Sequence, residues 1–208
     1  MAHVQLFAPA ASSYAWSTRI ALNEAGVDYD LVPRMPNSAE QRAVHPFGKV
    51  PALRHGDFVL YETAAILEYI AEAFEGGAAL VPKDVQERAR MRQWMGVLSS
   101  YVYPAVVSRV VVQRVFVQAN GGTVDEDDIA LACKQGNERL AVLDAALGER
   151  QWLAGGELSL ADVLLAPVVF YASVVPDGAK ILDGLDNLKG WLGRMQSRPS
   201  FSSTMPRM

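Results

Sequence analysis

Few residues in this chain have the type and spacing to do chemistry. Two adjacent hydroxyls, Ser12 and Ser13, stand just before a helical stretch, and an acid–hydroxyl pair, Glu62-Thr63, opens another. The first backbone amides of a helix have no carbonyl partner inside it, so a helix start either binds an anion or is closed by a capping side chain. Each serine is therefore a cap or turn residue or a hydrogen-bond donor to a negative atom. Thr63 is an N-cap or a carboxylate binder on the same grounds. Lys49 is an ordinary exposed lysine or the partner of an acid. Tyr14, Trp16, Tyr101 and Tyr103 suit a core, an interface or the wall of an apolar pocket. Cys133, the single cysteine, allows neither an intrachain disulfide nor a Cys-x-x-Cys pair nor a cysteine zinc cluster, and reads as a small buried residue. His3, His45 and His55 have no metal-ligand spacing, so no metal is expected.

Composition narrows the function classes. Half of the 208 residues are apolar, enough for a substantial core, and the net charge of -4 comes from intermixed acids and bases. Disorder and nucleic acid as the main partner are both disfavoured. The opening residues lack the basic front and long apolar run of a signal peptide. The longest apolar stretch, 101–117, is interrupted by Ser108, Arg109, Gln113 and Arg114, whereas a membrane span needs about 20 mostly uncharged residues. That stretch reads as a buried helix, and neither secretion nor a membrane is expected.

The elements that position these groups follow from periodicity. Short apolar runs at 4–7 and 29–33 flank a helical pattern at 18–25 that ends at Gly26, which gives strand, helix, parallel strand. After a loop from Pro33 to Ser38, residues 51–54 and 58–60 flank His55-Gly56-Asp57 as a hairpin. From Thr63, the residues Ala64, Ile66, Leu67, Ile70, Ala71 and Phe74 form one apolar face that Gly76-Gly77 terminates. From Val85 onward the spacing is helical. Valine favours strands, but the polar positions Ser108, Arg109, Gln113, Arg114 and Gln118 recur every four or five residues, which predicts helix, with a kink at Pro104. Further helices are expected at 125–147, 159–175 and 185–197. Ser159-Leu160-Ala161-Asp162 is a capping box, with Leu158 and Val163 as its hydrophobic staple.

Three segments resemble the cytosolic glutathione transferases, and the likeness covers essentially the whole chain. Ser12-Ser13-Tyr14-Ala15-Trp16-Ser17-Thr18-Arg19-Ile20 is similar to the serine motif of the zeta, phi and tau classes. His45-Pro46-Phe47-Gly48-Lys49-Val50-Pro51-Ala52-Leu53 resembles the family's cis-proline segment. Tyr61-Glu62-Thr63-Ala64-Ala65-Ile66 is similar to its Glu-Ser motif. The resemblance implies a serine-type, zeta- and phi-like bacterial member. The expected fold is an α/β thioredoxin-like N-terminal domain at 1–78 (βαβ-ββα, a mixed four-stranded sheet), a linker at 79–85 and an all-α helical domain at 86–208.

The same resemblance implies roles. Ser12, with Ser13 as the alternative, stabilises the thiolate of glutathione. Glu62 receives the γ-glutamyl ammonium and Thr63 the carboxylate. Val50, before a cis Pro51, pairs with the cysteinyl backbone like an added strand, and Lys49 reaches the glycyl carboxylate. Tyr14, Trp16, Tyr101 and Tyr103 face an apolar electrophile. Glutathione is thus the expected co-substrate of a cytoplasmic homodimer. The zeta-class isomerases carry cysteine where Tyr14 stands, which sets glutathione-dependent cis–trans isomerisation of the maleylacetoacetate type second. A non-catalytic glutathione-binding protein of the same fold is the third reading.

Overall fold

The computed structural model describes residues 2–207. Its sheet has four strands, β1 (Val4–Phe7), β2 (Asp30–Val32), β3 (Ala52–His55) and β4 (Phe58–Tyr61), in the order β2-β1-β3-β4. β1 and β2 are parallel, with Leu6 opposite Leu31, whereas β1–β3 and β3–β4 are antiparallel, with Leu53 facing both Leu6 and Leu60. Alternation along β1 sends Val4 and Leu6 to one face and Phe7 to the other. Leu6 joins Leu53, Trp16, Ile20, Ile66 and Ile70 in the main core, while Phe7 packs with Val44 and Ala52 in a small cluster on the opposite face.

Two helices cover the main face, α1 (Ser13–Glu24) and α3 (Thr63–Ala73). α1 starts five residues earlier than its apolar pattern predicts, because it is buried on more than one side. Its inner side meets α3, and its outer side meets two helices of the second half, α6 (Leu160–Val174) and α9 (Pro199–Thr204). Such a helix has no polar stripe from which to read a period. α3 is more regular, although Ala64 is exposed rather than part of the buried face. It ends at Phe74, and Gly76-Gly77 lie inside a following 3-10 turn, Glu75–Leu80. A short helix, α2 (Ala39–Arg42), stands between β2 and β3.

The second half is helical from α4 (Val85–Val97), whose N-terminal amides at Gln86 and Glu87 donate to Asp84, each at 3.0 Å. The chain then widens into i→i+5 hydrogen bonding through Leu98–Val102, Pro104–Val111 and Gln113–Val117. A bend of 40° separates 85–102 from 104–117, at the proline that cannot donate to the ladder. The valine-rich stretch is thus helical. Wide turns give β-branched side chains more room, and they lengthen the period beyond 3.6 residues, so positions four to five apart share a face. No single helix among the described residues is long and apolar enough to cross a membrane. The bent pair 85–117 has that length and composition together, but its Val106, Val107, Val110 and Val111 are buried.

The helices between and around α6 and α9 are α5 (Glu126–Leu147), α7 (Gly178–Ile181) and α8 (Asp186–Gln196). α6 is apolar almost all round and is the centre of this half. Its capping box is present, and Asp162 does more than cap. The carboxylate accepts from the Ser159 amide (3.0 Å), the Ser159 hydroxyl (2.6 Å), the Leu153 amide (2.9 Å) and the Trp191 indole (2.9 Å). Burial pushes this carboxyl above its usual range, and the four donors pull the other way. Leu158 and Val163 are both buried where the staple requires them.

Candidate functional site

Two cavities adjoin where the sheet half meets the wide helix, and Val50 and Tyr103 line both. One, of about 470 Å3, is polar: His45, Lys49, Glu62, Thr63, Ser99 and Ser108 surround it with Tyr14 and Pro51. The other, of about 380 Å3, is apolar. Pro9, Met35, Pro36, Val107, Val111, Val112 and Phe116 form its walls, and the hydroxyls of Ser12, Ser13, Tyr103 and Tyr171 are its polar groups. Tyr103, Val107 and Val111 are four residues apart and Val112 and Phe116 four again, so the series steps by four or five along one face of the widened helix.

Local backbone geometry sets the polar chamber. The Gly48 amide donates to the His45 carbonyl (2.7 Å), and Gly48 has φ +65°, where an added Cβ would stand 2.7 Å from Asn37 Oδ1. This turn needs glycine. Beyond it the buried Gln41 side-chain amide, through Nε2, donates to the Lys49 carbonyl (2.7 Å), and the Val50–Pro51 bond is cis. Lys49 is exposed along the rim.

At the opposite wall Glu62 occupies the N-cap position of α3 with φ 71° and makes no side-chain cap bond. A non-glycine residue held there costs roughly 1–3 kcal/mol, which surrounding structure must offset. The conformation leaves the Glu62 side chain exposed, while its carbonyl accepts from the Ile66 amide (2.9 Å) and begins the helix. Thr63 is therefore the first helical residue and not the cap. Its amide is one of those with no intrahelical carbonyl.

Ser12 is the N-cap of α1 and accepts a hydrogen bond from the Ala15 amide (3.3 Å). That bond uses an oxygen lone pair and leaves the hydroxyl hydrogen free to donate. The preceding residue is fixed from the other half, because the Tyr171 hydroxyl donates to the Ala11 carbonyl (2.8 Å). Ser13 also lines the apolar chamber but is buried, and its hydroxyl lies against Tyr103.

Of the four aromatics expected at a pocket, two are elsewhere. Trp16 is fully buried in the core, its indole donating to Thr204 (2.9 Å), because α1 is covered on its outer side as well. Tyr101 is 60% exposed and lines neither chamber, since it precedes the bend that turns Tyr103 inward. Tyr14 lies in the polar chamber, stacked on Tyr103 at 4.1 Å with an interplanar angle of 6°. Burial pushes the Tyr14 phenol well above its ordinary range, raises that of Tyr103, and pushes Tyr171 up to about 12. All three remain protonated near neutrality, and the Tyr171 hydroxyl donates to the Ala11 carbonyl.

His45 has no spacing that singles it out, yet it lines the polar chamber. It is 2% exposed, its ring is tilted against Tyr61 at 4.8 Å, and Nε2 lies 4.0 Å from Glu62 Oε1. A lone histidine before a proline gives no signal by which sequence reading would find it. A third cavity, of about 680 Å3, lies between 78–84 and 154–158 and shares no residue with the other two. Its Glu87 is already engaged by the Gly155 amide (2.8 Å) and Arg150 (3.2 Å).

Comparisons with known proteins place these cavities in a family context. Residues 11–73 match the family profile described as glutathione S-transferase, N-terminal domain, and 96–199 the one described as glutathione S-transferase, C-terminal domain. The chain is similar to glutathione S-transferase F10 of Arabidopsis thaliana, 32% identical over 189 residues that cover 88% of this chain and 87% of that protein. It also superposes on glutathione S-transferase III in its apo form, with 31% identity, a TM-score of 0.88 and coverage of 100% and 99%. Glutathione S-transferase I from maize, in complex with an atrazine glutathione conjugate, gives 30% identity, a TM-score of 0.86 and coverage of 98% and 97%.

Proposed function

Because the chain belongs to the glutathione S-transferase family, we propose that glutathione lies in the polar chamber with its sulfur at Ser12 and that the electrophile enters the apolar chamber beside it. The activity is glutathione conjugation, with glutathione as co-substrate. In this reading Glu62 receives the γ-glutamyl ammonium, and the Thr63 amide and hydroxyl hold the carboxylate at the α3 N-terminus. Val50 pairs with the cysteinyl backbone, and Lys49 meets the glycyl carboxylate. The observation that carries it is the juxtaposition of one polar and one apolar chamber at Val50 and Tyr103, with Ser12 in the lining of the apolar one.

A thiol with an ordinary pKa near 8.5 is mostly protonated at neutral pH. A free hydroxyl hydrogen at a helix N-terminus stabilises the thiolate over the thiol, and no acid stands in the first turn of α1 to oppose it. The thiol proton passes to solvent. The sulfur then forms a bond to the electrophilic carbon, and the leaving group departs with its electron pair, or the proton is returned when the thiol adds to a double bond. Ser12 is not consumed. We favour Ser12 over Ser13 because it caps the helix and is the less buried of the two.

None of the residues lining the apolar chamber is charged. A dicarboxylate of the maleylacetoacetate type would find no cation there, so conjugation of apolar compounds is favoured over isomerisation. The further parts of the reading are a serine-type enzyme with phi- and zeta-like features, divided into 1–78 and 86–208 by a linker at 79–85. It works as a homodimer in the cytoplasm, as the resembled family does. Calorimetric titration with glutathione, then turnover of an aryl halide, an unsaturated carbonyl and maleylacetoacetate, tests the whole. We expect glutathione binding and fastest turnover of the apolar halide; preference for maleylacetoacetate would overturn the substrate assignment.

A further inference from the structure

His45 has a ring that the fold holds on several sides. Its amide donates to the Gln41 carbonyl (2.8 Å), its carbonyl accepts from Gly48, and its imidazole packs on Tyr61 and edge-on to Phe47 at 6.2 Å. Only 3% of the side chain is exposed, yet it borders the polar chamber. The two ring nitrogens differ. Nδ1 is buried with no partner, whereas Nε2 faces the Glu62 carboxylate at 4.0 Å. The 4.0 Å separation is longer than a hydrogen bond; a carboxylate only accepts, so the Nε2–H tautomer is the one that donates to Glu62 when the carboxylate closes that gap. Burial holds the imidazole below its usual pKa and Lys49 adds to this, against the opposing effects of Glu62 and of the residue's own backbone carbonyl; the ring is therefore neutral near pH 7.

Glu62 lacks any comparable restraint. Its side chain is 64% exposed and its carboxylate makes no cap bond, so a flexible acid is free to swing into water. Loose placement weakens a charge-assisted contact, because ordering the side chain then falls to the binding step.

We propose that His45 is a positioning residue that aims the Glu62 carboxylate at the α-ammonium of glutathione, so that recognition of a free α-amine runs through the His45–Glu62 pair. This rests on the placement of the ammonium at Glu62. A neutral donor fits this role because it orients the carboxylate without neutralising it, whereas an imidazolium would compete with the ligand's own cation. The amine-bearing end of the thiol is thereby selected, and a thiol tripeptide that lacks that amine loses nothing when His45 is removed.

The test compares His45→Leu, His45→Gln and Glu62→Gln with the parent, using glutathione and its deaminated analogue. His45→Leu keeps volume without a donor and should raise the glutathione KM about tenfold, with kcat nearly unchanged. The analogue's KM should not move. His45→Gln, which restores an N–H at similar reach, should recover most of the loss. Nitrogen-detected NMR of the parent provides a readout that does not depend on a variant folding. It should show the Nε2–H tautomer, with a signal that shifts on glutathione binding and much less with the analogue. Equal KM changes for both thiols in His45→Leu, or an Nδ1–H tautomer, would overturn the proposal. If Glu62→Gln does not discriminate between the thiols, the ammonium placement fails and the role of His45 with it; if Glu62→Gln discriminates and His45→Leu does not, only the role of His45 fails.

Discussion

The two chambers share Val50 and Tyr103 and differ in almost everything else. The polar one is assembled from turns and helix starts, with its backbone set by local geometry: a left-handed turn at Gly48 before Lys49 and Val50, φ 71° at Glu62, and Thr63 at the first turn of α3. The apolar one is mostly one face of a helix, Tyr103 to Phe116, opposed by prolines and Met35. Directional groups bind one ligand in one pose, whereas apolar walls contribute through area and tolerate different shapes. With glutathione and the electrophile in the chambers proposed above, the molecule is strict towards its thiol and permissive towards its second substrate.

Four measurements would break or sharpen that contrast. The largest effect should come from the strict side. If glutathione sits as proposed, Glu62→Gln combined with Thr63→Ala removes two charge-assisted contacts of about 1.5–3 kcal/mol each, and its affinity by calorimetry should fall by several kcal/mol. Unchanged affinity would remove the distinction.

Second, the permissive wall depends on Arg114, which donates to Asp177 (2.7 Å) and Glu126 (2.7 Å) and so ties the 113–117 turn to α7 and α5. Arg114→Met leaves Asp177 buried and unpaired, and should cost about 3 kcal/mol in chemical denaturation. The electrophile KM should rise while the glutathione KM stays the same. Acid should act similarly, because hydrogen bonding and charge from Arg114 hold the Asp177 carboxyl below its usual range. Its folded-state pKa lies below the unfolded one, so the stabilisation is complete above about pH 4 and is lost as pH falls through the folded value. In Arg114→Met this acid-dependent loss should be missing from the melting profile.

Third, Ser12→Ala should raise the bound thiol pKa by about one to two units in ultraviolet titration, with glutathione affinity nearly intact. Ser13→Ala should do much less, and a reversed pattern would move the role by one residue. The smallest effect belongs to the apolar wall. Phe116→Ala should raise the KM for an aryl halide about fivefold, near 1 kcal/mol of lost apolar burial, and leave the glutathione KM untouched.

What can be read in advance from residue order follows the same physical divide. The strands, the hairpin and α3 have their apolar residues at regular intervals, and the polar positions of 108–118 are regular too, which tells helix from strand despite the valines. α2, α7 and α9 have four to six residues each and are too short to show a period. Trp16 and Tyr101 are expected at the electrophile only because they are aromatic and close in sequence to residues that do line the chambers. Which face of α1 is covered depends on α9, 188 residues away, and which side Tyr101 takes depends on the bend at Pro104. Neither is a local property. The pairing of His45 with Glu62 likewise exists only once β3, β4 and α3 are folded together.

The burial of α1 between both halves also bears on how the chain is made. Its outer side carries Trp16, closed by Thr204, and Ser17, whose hydroxyl reaches the Leu164 carbonyl (3.4 Å). A ribosome emits α1 well before α6 and α9, so the sheet half leaves the exit tunnel with an apolar surface that its own residues cannot cover. Domains made first generally fold first, but here the loop before Ser12 gains its Tyr171 contact only when α6 arrives. A nascent chain stalled before residue 160 should therefore bind chaperones through the uncovered side of α1, and release of α6 marks the point at which the serine loop takes its final position.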